Sequence, residues 1–327
     1  MPSGNRKKVA IRSLSAVIAA AAGMSVLSRK FRHRSAAAST IESMFRITGM
    51  KKRFSDAESC ERFIESHRGR EPFRLNTRSV RSTVTESETN GCRVYTFRGG
   101  DGGTVIYLHG GAFVEDVSFY HTSFCDRLAR GTSFNVVLPV YPLAPDHTAT
   151  EALRMIETLY GDYPPEKTVL MGESAGGGLC MSLSEMLLAS GRAQPAAIVL
   201  FSPWLDATMS NPDIAKYESS DMLLSAEGLA KIGRIWAGEL SPGDFRVSPM
   251  FGNVVGAAAT YLFTGTREIF CPDVGKFYGI LKDAGVKTEL FTGENLGHGY
   301  PLYPIPEANK AFLKVKEILD AACPEKE

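Results

Sequence analysis

The pentapeptide Gly172-Glu173-Ser174-Ala175-Gly176 constrains the fold more than any other short stretch of this chain. It follows the apolar run Val169-Leu170-Met171 and precedes a segment rich in Ala, Gly and Leu that suits a helix. A strand that passes into a helix across so few residues must turn sharply. Small neighbours let the backbone do so while the central serine projects from the turn. Five such residues also arise by chance as a plain glycine-rich turn, so their weight depends on what the remaining residues supply.

From about Thr104 short β-branched runs alternate with helical patterns, which predicts an α/β fold with a mostly parallel sheet flanked by helices. Strands are expected at Thr104–Leu108, Val136–Tyr141, Thr168–Gly172, Ala197–Phe201, Thr260–Thr264 and Thr288–Thr292. Helices are expected near Phe119–Arg130, Thr150–Tyr160, Ala175–Ser190, Val274–Asp283 and Glu307–Ala322, the fourth closed by Ala284-Gly285. Two regions break the alternation. Residues 1–80 are polar and helix-like, and residues 206–246 hold a helical stretch with Met222, Leu223, Leu224 and Trp236. Together they suggest a lid over a catalytic domain spanning 81–327.

A net charge of +1 and scattered Lys and Arg predict no nucleic-acid partner. The six cysteines are widely spaced, with no Cys-x-x-Cys and no zinc-like Cys/His cluster. They read as free thiols in a reducing compartment, and neither metal nor cofactor is expected. Residues 1–34 carry eight basic side chains and no acidic one, around an apolar stretch from Leu14 to Leu27. Its length fits a signal-peptide core, but the basic run after it does not fit a cleavage site. An uncleaved anchor, a surface-lying basic helix and a plain N-terminal helix all remain open. The expected location is cytoplasmic, with peripheral membrane contact through residues 1–34 under the first two readings.

A serine hydroxyl is a weak nucleophile and needs a base to take its proton. Where an acid and a histidine assist a serine in such a turn, they follow it in that order along the chain. Six histidines are present and only His298 lies after Ser174. It sits in Gly297-His298-Gly299, just beyond a predicted strand, where a core-packing role is poorly suited. Thirteen carboxylates lie between Ser174 and His298. Glu268 and Asp273 both follow the strand Thr260–Thr264, and Glu268 is nearer its end. Asp273 also fits a helix start, where a carboxylate commonly serves as a cap or dipole partner. An oxyanion needs backbone N–H donors. Ala175 offers one, and the loop His109-Gly110-Gly111-Ala112 at another strand end is placed to offer more. His109 is expected to anchor that loop, and Glu173 to be structural or part of a pocket wall.

With these residues in place, the chain from about Thr104 onward resembles the hormone-sensitive-lipase branch of the α/β-hydrolase esterases. His109-Gly110-Gly111-Ala112 resembles the His-Gly-Gly-Gly loop, and Gly172-Glu173-Ser174-Ala175-Gly176-Gly177 the Gly-Asp-Ser-Ala-Gly-Gly turn. Tyr141-Pro142-Leu143-Ala144-Pro145-Asp146-His147 and Ser202-Pro203-Trp204-Leu205-Asp206 are similar to two further loops of that family. The resemblance implies a Ser174, Glu268, His298 triad, oxyanion donors at Gly111, Ala112 and Ala175 with Gly110 shaping the loop, and a helical cap. Ala112 in place of a third glycine leaves a backbone donor in place, and Glu268 is a longer arm than the usual Asp. The implied activity is carboxylic ester hydrolysis on small-molecule acyl esters of short to medium chain. A non-catalytic receptor, and a lactone hydrolase, deacetylase or amidase, are the alternatives.

Overall fold

The computed structural model describes residues 34–324. Apart from Arg34, the basic N-terminal segment therefore lies outside the described residues, and so do its three readings. Among the described residues no helix is long and apolar enough to cross a membrane.

The elements run α1 (Ala36–Thr48), α2 (Ala57–Glu65), β1 (Val84–Thr89), β2 (Cys92–Phe97), β3 (Gly103–Leu108), α3 (Phe119–Gly131), β4 (Phe134–Pro139), α4 (Ala149–Gly161), β5 (Thr168–Glu173), α5 (Ala175–Ala189), β6 (Ala197–Phe201), α6 (Ala226–Ala237), β7 (Thr260–Gly265), α7 (Cys271–Asp283), β8 (Thr288–Gly293) and α8 (Pro306–Ala322), with short 3-10 turns between. The eight strands form one sheet in the order β1-β2-β4-β3-β5-β6-β7-β8. β1 and β2 pair antiparallel, β2 runs antiparallel to β4, and every other neighbour is parallel.

Successive side chains on a strand face opposite sides, so each parallel strand feeds two cores. Ile106, Leu108, Val137, Leu170, Ile198, Leu200 and Leu262 pack on one face beneath α4, α5, α6 and α7. Val105, Tyr107, Val136, Met171, Val199, Phe201 and Phe263 pack on the other beneath α3 and α8. Burying each of these large apolar side chains is worth about 1.5–3 kcal/mol. β5 lies between β3 and β6 near the middle of the sheet and all six of its residues are buried. That central position fixes where the chain enters the Ser174 turn. All six cysteines are free thiols.

The hairpin β1–β2 is absent from the sequence-based expectation. Asn90-Gly91 links its strands with positive φ at both residues (50° and 78°), the conformation of a two-residue hairpin turn. β1 has a mostly exposed edge pattern without an apolar run, which hides it from a search for buried strands.

Residues from the N-terminal region and from 206–246 pack into one layer. Cys60 Sγ of α2 lies 3.4 Å from the Gly228 carbonyl of α6. Lys231 Nζ reaches Glu61 at 2.8 Å and the Ala57 carbonyl at 3.1 Å. A Cβ on Gly228 would stand 2.5 Å from the Phe54 carbonyl oxygen, so the backbones approach too closely for any larger residue.

Candidate active site

The serine turn is built by close packing of backbone. Ser174 has φ 53° and ψ −120°, outside the regions favoured by L-residues. Such strain persists only where its surroundings impose it. The Ser174 N–H donates to the Phe201 carbonyl (2.9 Å), and its carbonyl accepts from the N–H groups of Trp204 (2.9 Å) and Gly178 (3.2 Å). A Cβ on Gly176 would lie 2.0 Å from the Leu108 oxygen and 2.5 Å from that of His109. Glycine there lets α5 start directly against the end of β3. Ala175 is the first residue of that helix, so its N–H has no acceptor within α5.

The loop after β3 comes to the same place. Gly111, Ala112 and Phe113 all have positive φ (118°, 53° and 60°). The N–H groups of Val114 and Glu115 turn back to the Gly111 carbonyl at 3.0 and 2.8 Å. Phe113 stacks on Trp236 of α6 at 4.3 Å between ring centroids and on Trp204 at 5.2 Å. Ala144 N–H donates to the Phe113 carbonyl at 2.8 Å, fastening the loop to the segment after β4. His109 is fully buried, stacks on Tyr141 at 4.3 Å, and places Nδ1 2.7 Å from the Gly110 carbonyl. Burial lowers its pKa to about 3, so the ring is neutral.

His298 and Glu268 meet beyond the ends of β8 and β7. His298 Nδ1 stands 2.7 Å from Glu268 Oε2. The other oxygen, Oε1, accepts from the Thr264 hydroxyl (2.5 Å) and the Gly265 N–H (2.9 Å). Glu268 is fully buried, and its remaining acceptor capacity turns to the imidazole. The Phe270 ring packs edge-on against His298 at 5.3 Å, and Gly299 N–H donates to the Ser202 hydroxyl at 3.1 Å. Asp273 takes a different course. Its Oδ1 accepts from the Asn211 amide at 2.7 Å, and burial raises its pKa to about 6.

Ser174, His298, Gly111 and Ala112 line one cavity of about 1030 Å³, together with Phe45, Phe54, Phe73, Leu223, Leu224 and Tyr303. The N-terminal helix and the 206–246 region thus both contribute wall. Gly110 stands behind the lining, where a Cβ would touch Glu173 and Ser174. Among the described residues no group of three or more His, Cys, Asp or Glu is placed to hold a metal ion.

Three residues of the site have no signal in the sequence beyond their type. Glu173 is buried with Oε1 3.3 Å from His298 Nε2 and Oε2 3.4 Å from His121 Nε2. Burial alone would raise its pKa, but the two imidazoles hold it down at about 2. Asp221 Oδ1 accepts from the N–H groups of Leu223 and Leu224, and its Oδ2 from Ile269 N–H at 3.0 Å, beside Glu268. The Ser118-x-x-His121 spacing could have pointed to a helix start, but not to His121 as a partner of Glu173.

Residues 105–302 match the protein family described as alpha/beta hydrolase fold. An esterase of Acinetobacter venetianus is 31% identical over 223 residues, spanning 65% of this chain and 73% of that protein. The carboxylesterase/phospholipase LipF of Mycobacterium tuberculosis is 38% identical over 234 residues, spanning 67% of this chain and 62% of that protein. The crystal structure of an esterase from the bacterial hormone-sensitive lipase family superposes with a TM-score of 0.74 at 23% identity. That superposition covers 89% of this chain and 99% of the other, and it shows the shared fold. Sequence, architecture and motif order agree, and the chain belongs to the alpha/beta hydrolase family.

Proposed function

We propose that the chain is a serine carboxylesterase for small acyl esters of short to medium chain. The observation that carries this reading is the 2.7 Å contact of His298 Nδ1 with Glu268, on a cavity that also exposes the strained Ser174. A carboxylate on Nδ1 fixes the tautomer with its lone pair on Nε2, the form able to take a serine proton. In the reading that follows, Ser174 Oγ attacks the ester carbonyl carbon while its proton passes to His298 Nε2. The oxyanion is received by the N–H groups of Gly111, Ala112 and Ala175, with Gly110 giving the loop its shape. The intermediate collapses to the Ser174 acyl-enzyme as Nε2 returns the proton to the leaving alkoxide. Water then releases the acid by the same route in reverse.

Glu268 is favoured over Asp273 because Asp273 is bonded to Asn211. The packed layer of α1, α2 and the 206–246 region is proposed as the cap, with Leu223 and Leu224 on its cavity side. A fluorophosphonate probe should label wild type at Ser174 and leave Ser174→Ala untouched. A series of p-nitrophenyl esters should show hydrolysis falling off at long chains and lost in Ser174→Ala. An unlabelled wild type would favour a receptor that keeps the pocket without the chemistry. Activity surviving Ser174→Ala would refute the mechanism.

A further inference from the structure

The two imidazoles that meet Glu173 present different faces to it, and their hydrogen bonds show which. His121 Nδ1 accepts the Ser118 N–H at 2.9 Å, so the ring proton lies on Nε2, directed at Glu173 Oε2 3.4 Å away. This is a neutral imidazole donating to a carboxylate. His298 is held the opposite way. Its Nδ1–H is committed to Glu268, so a neutral ring would turn the Nε2 lone pair toward Glu173 Oε1 at 3.3 Å. A lone pair facing a carboxylate oxygen is repulsive. The same contact becomes a charge-assisted hydrogen bond once Nε2 carries a proton. Glycine at 110 and 299 makes space for the carboxylate in this position, since a Cβ on Gly110 would stand 2.0 Å from Oε2 and one on Gly299 3.1 Å from Oε1.

We propose that Glu173 is a positioning residue, a second carboxylate that accepts the Nε2–H of His298 whenever that ring is protonated. This inference rests on the reading of Ser174 as nucleophile and His298 as base. The proton that leaves Ser174 Oγ becomes an Nε2–H shared between the reacting oxygen and Glu173 Oε1. No proton passes to Glu173, and Nε2 still delivers its proton to the leaving alkoxide. Glu173 thereby stabilises the imidazolium formed during each half-reaction, and it keeps the free enzyme's ring protonated to higher pH.

The surrounding groups fit this division. His121 and neutral His109 face Glu173 from α3 and the oxyanion loop, with the hydroxyls of Tyr107, Tyr141 and Tyr303 around it. Asp116 faces His121. Glu268 and Asp221 also act on His298, so with Glu173 the ring lies among three acidic groups. Burial by itself would lower the His298 pKa, yet Glu173 and Glu268 together raise it well above the usual imidazole range.

The test is Glu173→Gln, which keeps the shape and can donate to a neutral Nε2. The acid limb of kcat/KM for a p-nitrophenyl ester should move down by at least about one pH unit. The alkaline plateau should fall about three- to tenfold as imidazolium stabilisation is lost. Glu173→Asp, whose carboxylate retreats by one methylene, should move the limb part of the way. It serves as the second measurement if the Gln variant folds poorly. A purely structural role would lower activity at every pH and leave the limb in place, and that result would overturn the proposal. NMR titration of the His298 imidazole in wild type and both variants reads the same pair without turnover. An unmoved titration would refute the proposal even in an active enzyme. Loss of fluorophosphonate labelling in wild type would instead count against the reading beneath it.

Discussion

Replacing Glu268 by Gln changes one atom and should nearly silence the enzyme. The reason lies in what each carboxylate oxygen already does. Oε1 accepts two hydrogen bonds, from the Thr264 hydroxyl at 2.5 Å and the Gly265 N–H at 2.9 Å. Oε2 accepts one, from His298 Nδ1 at 2.7 Å. A glutamine has a single oxygen to place. Set at Oε1 it keeps both local bonds and turns its NH₂ toward Nδ1. The imidazole must then accept at Nδ1 and carry its proton on Nε2, the tautomer that cannot take a proton from Ser174. The flipped amide would oppose NH₂ to the Gly265 N–H in a fully buried position, and a buried unsatisfied donor costs about 1–3 kcal/mol. The first arrangement therefore prevails.

In a serine protease triad the equivalent change of acid to amide lowers kcat by about 10⁴. A loss of about 10³–10⁴ is expected here, measured as kcat on p-nitrophenyl acetate and as the rate of fluorophosphonate labelling. Circular dichroism should remain that of wild type, because the amide fills the same space. Asp273→Asn is the matched control. Asp273 bonds to Asn211 and burial already favours its uncharged form, so its amide should leave kcat within about threefold. An E268Q variant that keeps more than a tenth of wild-type kcat would refute the assignment of the acid. So would a greater loss in D273N.

Three other outcomes follow from single contacts. Gly176→Ala drives a methyl to 2.0 Å from the Leu108 oxygen, where both partners are backbone, so the melting temperature should drop steeply and an unchanged melt would contradict the packing. Glu185, buried with neither oxygen hydrogen-bonded, has its pKa pushed up to about 9 by burial, against about 4.3 in an unfolded chain. The fold binds the proton that the unfolded chain releases, so this group costs stability as pH rises from about 4.3 toward 9, by at most about 1.4 kcal/mol per unit. Melting curves of wild type and Glu185→Gln should therefore coincide near pH 4 and separate at pH 8, with the Gln variant higher; parallel curves would disprove it. Glu42 of α1 pairs with both Arg34 and Arg267, and Arg34 also donates to the Asn295 carbonyl at 2.8 Å. Glu42 is only partly buried, so losing its charged hydrogen bonds should cost about 1.5–3 kcal/mol, and Glu42→Ala should lower both the melting temperature and kcat by loosening the loops of Glu268 and His298.

Most of the scaffold was legible because burial leaves a pattern in the residues themselves. Val169-Leu170-Met171 and Ala197–Phe201 are apolar on both faces because both faces of those strands are covered, and their helices announce themselves between them. β1 fails that rule for a physical reason. It closes one edge of the sheet, four of its six residues are exposed, and only Asn90-Gly91 marks the turn. His298 was identifiable because no other histidine follows Ser174.

The partners that tune the site are harder to read, since a carboxylate reveals nothing in sequence about what surrounds it. Glu173 occupies the variable position of Gly-x-Ser-x-Gly, and β5 carries it into the same buried corner as His121 of α3 and His298 beyond β8. Its alignment with Nε2 comes from the order of strands in the sheet, which places β5 between β3, whose loop supplies Gly111, and β7, whose end supplies Glu268. Position along the chain predicts which residue can be the base, but spatial crossing decides how basic that residue is. Glu173, delivered by the nucleophile's own strand to the far nitrogen of the imidazole, should therefore set the pH range of hydrolysis in this chain.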